Sequence, residues 1–530
     1  MSVKRILLVA ATAVSIISLS TAAMSQPPAS GRGGAGAAAG APARGGAPAG
    51  RGGGRAAAPP VDYTTMAKQN VKISTGELRG VIIDEVARFQ GIPYAAPPVV
   101  DLRWKPPAPA AKWTGVRDAF EPGGGCAAPN EDCLYLNVQK PEGAKPGDKL
   151  PVMVYIHGGS FTSGQGSAYD GTRFVKQGIV VVTINYRLGR AGWFSHPALT
   201  KEGQPANFGL LDQIASLKWV QSNIGAFGGD PAKVTIFGES AGAVSVLYLV
   251  ISPEARGLFR GAISQSGFPR NVPGNRAAID AYSARAASAA GVTGDTAAAA
   301  AALRRLPLTA FPASQGYFDN TRAYPTVDGK SIRYGITEGF EKGDAKVAVM
   351  IGGNSNDASL YNMQNSLPAA LNEVPNRARM AQVFNPANRL SDAQLINDYW
   401  TVLRMTEPNR NVARLQTRQG KPIWLYYFSY EAPAARIAAG VRGARHAADI
   451  PYVFNSNRGY AGEDLATAQT MNAYWASFAK YLNPGAAGGP QWDKYNVAND
   501  NLLEFSNSGP RVTTKMQDAL LNFTESQPHT

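Results

Sequence analysis

The stretch Val234-Thr235-Ile236-Phe237-Gly238-Glu239-Ser240-Ala241-Gly242 constrains this chain more than any other. A short β-branched and aromatic run meets Gly-x-Ser-x-Gly, and helix-forming residues continue from Ala241 to Val250. A sharp strand-to-helix turn fits that order, because small residues flank Ser240 where bulk would collide. Such a turn lifts a serine hydroxyl clear of a buried sheet. It also sets the hydroxyl beside a helix N-terminus, whose positive end favours developing negative charge. The pattern occurs once in 530 residues. A chain with 57 glycines can also produce it by chance, as a tight turn with an incidental serine. Its weight therefore comes from the strand before it and the helix after it.

The surrounding pattern supplies a sheet for that turn. Segments 150–156, 179–186, 234–237, 261–264, 347–351 and 423–428 read as buried core strands. Asn207 is expected to cap a helix in which Leu210, Leu211, Ile214, Leu217, Val220 and Ile224 recur at helical spacing. Strands alternating with helices predict an α/β fold, with a mostly parallel central sheet and helices on both faces. Segments 71–73, 78–86 and 134–138 precede it as shorter strands, the first two antiparallel. Segments 275–345 and 365–420 are Ala-rich and interrupt the strand series, so they are expected as helical and loop insertions capping the sheet's carboxyl edge. Segments 465–482 and 513–523 read as closing helices.

The ends and the charge narrow the class further. Hydrophobic residues make up 44% of the chain, enough for a large core. The formal charge is +14. Lys4, Arg5, Arg32, Arg44, Arg51 and Arg55 supply six of those charges before residue 60, where no acid occurs, and the rest are scattered. Without a basic stripe interleaved with aromatics, no nucleic-acid partner is expected. Residues 1–25 read as a signal peptide: Lys4 and Arg5, an apolar stretch over 6–19, then small residues with cleavage after Ala23 or Ser25. That stretch is shorter than the ~20 residues of a membrane span. A periplasmic or secreted chain follows, with no membrane span after cleavage. Segment 26–62 is nearly all Gly, Ala, Pro and Arg and is expected to be disordered, leaving 63–530 as one domain. The only cysteines, Cys126 and Cys133, should pair in an oxidising compartment. With no histidine nearby they make a poor zinc site, and no metal is expected.

A serine nucleophile needs a base, usually histidine, and the chain has four: His157, His196, His446 and His529. In hydrolases built on a strand–elbow–helix, acid and histidine follow the serine. His529 is penultimate, in an end expected to fray. That leaves His446, in a mobile-looking loop after the last predicted strand. Many carboxylates lie between. Asp357 stands out because it follows strand 347–351 through Gly352-Gly353-Asn354-Ser355-Asn356, where strand ends meet loops and reactive groups collect. A turn-capping aspartate is the alternative there. An oxyanion hole is the third need. His157-Gly158-Gly159-Ser160 ends a strand upstream of the elbow with a backbone able to aim N–H groups, and Ala241 offers another.

Taken together, the chain resembles the type-B carboxylesterases, the cholinesterase/carboxylesterase family of α/β-hydrolases, from about residue 71 to its C-terminus. The segments that carry the resemblance recur in order. They are Phe89-Gln90-Gly91-Ile92-Pro93-Tyr94-Ala95, Glu131-Asp132-Cys133-Leu134-Tyr135-Leu136-Asn137, Asn207-Phe208-Gly209-Leu210-Leu211-Asp212-Gln213, and Phe227-Gly228-Gly229-Asp230-Pro231 leading into the elbow. The resemblance implies Ser240 as nucleophile, His446 as base and Asp357 as acid, at a position where most eukaryotic members carry glutamate. The shorter side chain puts its reach in question. It also implies oxyanion donors at the N–H groups of Gly159, Ser160 and Ala241, and a Cys126–Cys133 disulfide. Cholinesterases carry a long loop with a choline-binding Trp between those cysteines. Here six residues without an aromatic stand there, which argues against choline esters. Trp193 falls where a residue usually lines the gorge, with plain core packing as its alternative.

The reading is a serine ester hydrolase that uses no cofactor and takes a small-molecule ester. The alternatives are a lipase, an amide or thioester hydrolase on the same residues, or a non-catalytic adhesion member of the fold. Intact Ser240 and His446 argue against the last of these. Acyl and alcohol preference and oligomeric state are not written in the sequence. One charge feature bears on substrate: Arg442 and Arg445 flank His446, Arg436 lies upstream, and no acid occurs between Ala432 and Ala448. Guanidinium groups at a catalytic mouth can hold a substrate carboxylate, and a solvated basic loop is the plainer reading.

Overall fold

The computed structural model describes residues 62–270, 273–311, 324–361, 374, 376–438 and 440–527. The expected signal peptide, nearly all of the 26–62 segment and His529 lie outside the described residues. The strands are β1 (Lys68–Ile73), β2 (Gly76–Ile83), β3 (Val86–Pro93), β4 (Val116–Asp118), β5 (Tyr135–Pro141), β6 (Leu150–Ile156), β7 (Val180–Ile184), β8 (Gly229–Glu239), β9 (Gly261–Gln265), β10 (Gly274–Asn275), β11 (Thr326–Val327), β12 (Ala348–Asn354), β13 (Ile423–Phe428), β14 (Asn501–Ser506) and β15 (Gly509–Thr514). Among the described residues thirteen of them form one sheet in the order β1-β2-β3-β5-β7-β6-β8-β9-β12-β13-β14-β15, with β4 beside β2. From β7 to β14 every neighbouring pair is parallel, and antiparallel pairs extend the sheet on both sides. β10 and β11 form a separate parallel pair.

The parallel strands are continuous apolar runs because both of their faces are covered. Alternation along each strand sorts side chains between two cores. Val152, Val154, Ile236 and Ala262 join Leu210, Ile214 and Leu217 of helix Phe208–Asn223 and Val244 and Leu247 of helix Ala241–Ile251. Met153, Tyr155, Phe237, Ile263, Met350 and Trp424 point the other way, to Phe174 and to Met471, Trp475 and Phe478 of helix Gly462–Tyr481. Register follows from the same packing: Val154 pairs with Ile236, and Ile236 with Ala262.

Four sequence expectations need correction. The segment 513–523 does not begin a helix: β15 runs to Thr514, and the closing helix is Asp518–Glu525. Strand 423–428 is not the last, since β14 and β15 follow it in the sheet. Asn207 precedes its helix but does not cap it with its side chain. That amide bonds the Thr326 carbonyl, Asp328 and Ser331 instead, tying β11 to the helix start. The His446 loop, finally, is pinned rather than mobile, as its contacts below show.

Segment 275–345 contributes helices Arg276–Ala289 and Ala297–Arg305, whose Ala287, Ala300 and Leu303 pack on Trp104, Phe194 and Phe208. Farther on, helix Asp392–Thr401 passes through a π-helical turn, Val402–Thr406, into helix Glu407–Arg418. Arg410 there is 1% exposed and is paired with Asp500, Asp518 and Glu525 of the C-terminal part. Cys126 and Cys133 are joined. No helix among the described residues is long and apolar enough to cross a membrane.

Candidate active site

β8 ends at Glu239, and Ser240 turns the chain into helix Ala241–Ile251 with φ 55° and ψ −123°. An L-residue holds such angles only when its surroundings over-determine them. Two constraints do so here. The Ser240 N–H donates to the Gln265 carbonyl of β9 at 2.9 Å. A Cβ at Gly242 would lie 2.0 Å from the Ile156 carbonyl oxygen, so only glycine lets the helix start this close to β6. The turn after β6 presses on the same spot, since a Cβ at Gly158 would lie 3.1 Å from that of Ser240. Beyond it, the N–H groups of Gly159 and Ser160 donate to no acceptor among the described residues. Ala241, first in its helix, has no intrahelical acceptor. His157 supports the turn: it stacks on Tyr186, and its Nδ1 lies 2.7 Å from the Gly158 carbonyl. Burial holds its pKa down to about 4, so it stays neutral.

Two loops bring acid and base together. His446 Nε2 lies 2.9 Å from Ser240 Oγ, and its Nδ1 lies 2.7 Å from Asp357 Oδ1. Aspartate therefore reaches the imidazole despite the missing methylene. Asp357 Oδ2 accepts from Ser266 Oγ at 2.9 Å and from the Asn354 N–H at 2.7 Å. Those bonds leave only Oδ1 for the imidazole. The His446 loop is sewn to the acid loop: Asn356 N–H donates to the Ala444 carbonyl, Ala444 N–H to Ser355 Oγ, His446 N–H to Ser359 Oγ, and Asn354 Nδ2 to the Arg445 carbonyl.

Two more buried carboxylates shape the charge. Glu239 Oε1 lies 3.2 Å from His446 Nε2. Asp449 accepts from Gln265 Nε2 and Asn354 Nδ2. Burial pushes the Glu239 carboxyl up to about 8, with His446 opposing and Asp449 and Asp357 adding to the rise. Burial likewise raises Asp449. Desolvation pulls the His446 imidazolium down, but Glu239, Asp357 and Asp449 outweigh it, and its pKa rises. Glu239 and His446 thus titrate as a pair that shares protons.

Sequence reasoning did not find Ser266, Glu239, Asn354 or Asp449 as parts of this site. Glu239 could have been found from its place beside Ser240. Ser266 carries no local mark beyond the end of a strand. Trp193 is 2% exposed, edge-on to Phe161 in the core. The uniformly positive reading of 432–448 is also corrected. Arg442 pairs with Glu431 and bonds the Arg436 carbonyl, and Arg436 pairs with Glu463. Arg445 is exposed and has no ion pair among the described residues. His196 caps the short helix Pro197–Lys201 and takes no part.

A serine–histidine–carboxylate relay at a strand–elbow–helix invites comparison with known proteins. The model of the carboxylesterase family matches residues 67–385 and 386–524. The chain belongs to the carboxylesterase family. A fumonisin B1 esterase of Sphingopyxis macrogoltabida is 35% identical over 489 residues, covering 83% of this chain and 87% of that one. The para-nitrobenzyl esterase of Bacillus subtilis is 33% identical over 472 residues, covering 81% and 93%. Among solved structures, a PNB esterase superposes with a TM-score of 0.73 at 29% identity, covering 86% of this carboxylesterase and 99% of that chain. A Geobacillus stearothermophilus carboxylesterase gives 0.71 at 32% identity, covering 85% and 99%.

Proposed function

We propose that this carboxylesterase cleaves its esters through an acyl-enzyme on Ser240. The observation that carries the proposal is the continuous relay from Ser240 Oγ through His446 to Asp357, beside the unengaged N–H groups of Gly159 and Ser160. Neutral His446 takes the hydroxyl proton as Ser240 attacks the ester carbonyl. Asp357 fixes the tautomer with the proton on Nδ1 and stabilises the imidazolium. The oxyanion is met by the N–H groups of Gly159, Ser160 and Ala241. His446 then hands its proton to the departing alcohol, and water repeats the cycle on the acyl group. Amide and thioester substrates enter the same scheme, and a substrate panel with varied leaving groups separates them. An organophosphate tests the assignment: it should label Ser240 alone, and label on another serine with activity surviving Ser240→Ala would end it.

The location is proposed as periplasmic or secreted. The charged-then-apolar start of the sequence supports it, and so does the joined Cys126–Cys133 pair. Edman sequencing of the exported protein should read from near Met24 or Gln26. The 275–345 and 365–420 insertions are proposed to carry acyl and alcohol selectivity.

A preference for esters bearing a free carboxylate rests on Arg445, the exposed guanidinium next to His446 that no acid among the described residues neutralises. Arg442, bound to Glu431, drops out of that role. Acidic esters should then show kcat/KM above their neutral isosteres, and the margin should shrink with salt as screening sets in over ~10 Å at 0.1 M. Equal values at low salt would leave Arg445 a solvated surface residue.

A further inference from the structure

Gln265 is the last residue of β9, between Glu239 of β8 and Gly352 of β12. Alternation sends its side chain to the same face as Ile263, into the apolar layer that Trp475 and Phe478 of helix Gly462–Tyr481 fill. It is 1% exposed, and an amide buried in such a layer is costly unless its hydrogen bonds are met. Both ends are met. Oε1 accepts from the Trp475 indole Nε1 at 3.1 Å, and Nε2 donates to Asp449 Oδ2 at 2.6 Å. An indole N–H only donates and an ionised carboxylate only accepts, so the amide has a single orientation here. No apolar, basic or ionised acidic side chain could serve both partners.

The contacts close a ring around the relay. Asp449 stands three residues after His446, and its Oδ1 accepts from Asn354 Nδ2 at 3.2 Å. Asn354 Nδ2 also donates to the Arg445 carbonyl at 2.8 Å, and the Asn354 backbone N–H donates to Asp357 Oδ2. Asp357 Oδ2 returns to β9 through Ser266, the residue after Gln265. The Gln265 carbonyl takes the Ser240 N–H. One residue thus touches the elbow, the His446 loop and, through its neighbour, the acid. The charged groups facing this ring are Glu239, Asp357 and His446, while burial keeps the phenols of Tyr155 and Tyr426 protonated beside Asp449.

We propose that Gln265 is a positioning residue for ester hydrolysis, its amide setting the 443–449 loop, and with it His446, against the elbow. The proposal rests on the reading of Ser240, His446 and Asp357 as the relay. Gln265→Met keeps the length and removes both hydrogen bonds. With a para-nitrophenyl ester, kcat should fall roughly ten- to a hundred-fold with KM little changed, the effect of losing a hydrogen bond to a charged group. The Gln265 amide also holds the Asp449 pKa down against burial, and Asp449 in turn raises that of His446. Without the amide Asp449 should take up a proton, so the acid limb of kcat/KM should move to lower pH. Gln265→Glu is nearly isosteric and keeps the test decisive should the Met variant fail to fold. It retains an acceptor for Trp475 but meets Asp449 as a second carboxyl, and the two must share one proton. Activity should stay close to native on the acid side and fall at alkaline pH as that proton is lost. Native kcat in Gln265→Met, a lower kcat with the acid limb unmoved, or a native pH profile in Gln265→Glu would overturn the proposal. If an organophosphate labels Ser240 of the native chain, such a result removes Gln265 alone; label on another serine would instead remove the relay.

Discussion

The two halves of the proposed catalytic relay are held in place by different means. Ser240 is fixed at the elbow itself: its own strand and helix, the Gln265 carbonyl that takes its N–H and the Ile156 carbonyl pressed against Gly242 leave it one conformation. Asp357 and His446 are fixed by assembly, through hydrogen bonds among residues from the ends of β9, β12 and the 443–449 loop, distant in sequence. Damage on the first side should therefore be all-or-none and insensitive to pH. Damage on the second should be graded and should appear in pH profiles.

The largest expected effect breaks the local half. Ser240→Ala should lower kcat by on the order of 10⁶ with the melting temperature nearly unchanged, read by steady-state kinetics on a para-nitrophenyl ester. Next, Asp357→Asn should cost roughly 10⁴ in kcat, because the imidazole then adopts the wrong tautomer. Near-native turnover in that variant would place the acid elsewhere. Asp357→Glu should retain appreciable activity if the loops can yield by one methylene.

Smaller effects sharpen the assembled half. Ser266→Ala removes one hydrogen bond to a buried carboxylate, a kind of contact worth about 1.5–3 kcal/mol. Roughly ten-fold lower kcat with little change in KM is expected, and an unaltered kcat would show that Asn354 alone positions Asp357. Glu239→Gln works through charge. His446 must be neutral to accept the serine proton, so activity falls on the acid side as it protonates. Glu239 raises the His446 pKa, so its removal should move the acid limb of kcat/KM to lower pH and leave a single ionisation. A limb that stayed put or moved upward would contradict the electrostatic reading. The smallest effect is Arg445→Ala, which should raise KM a few-fold for an acidic ester and barely touch a neutral one.

The same division explains what could be read in the sequence. Strand–elbow–helix and the apolar strands are local patterns, so β6, β8, β12 and β13 were legible within a few residues. Asp357 could be reached by its place after a strand, and His446 by elimination. Ser266 could not, because its role exists only where the end of β9 meets the end of β12. β14 was hidden by Glu504, a charge inside an apolar run. In the fold that carboxylate is satisfied by Arg511 and Ser429. The charge of the 432–448 loop was misjudged because Glu431 lies just outside the window and Glu463 is brought to it from a later helix.

The buried Arg410 has a consequence for the order of synthesis. Its partners Asp500, Asp518 and Glu525 follow it by 90, 108 and 115 positions, so each is synthesised well after it. Until they arrive, a guanidinium meant for the interior lacks its ion-pair partners, and burying it without them is strongly unfavourable. The helix before it, joined through the π-helical turn, ends at Thr401, whose hydroxyl receives the Ala358 N–H beside Asp357. A nascent or prematurely stopped chain can thus own a formed elbow and still lack a settled acid.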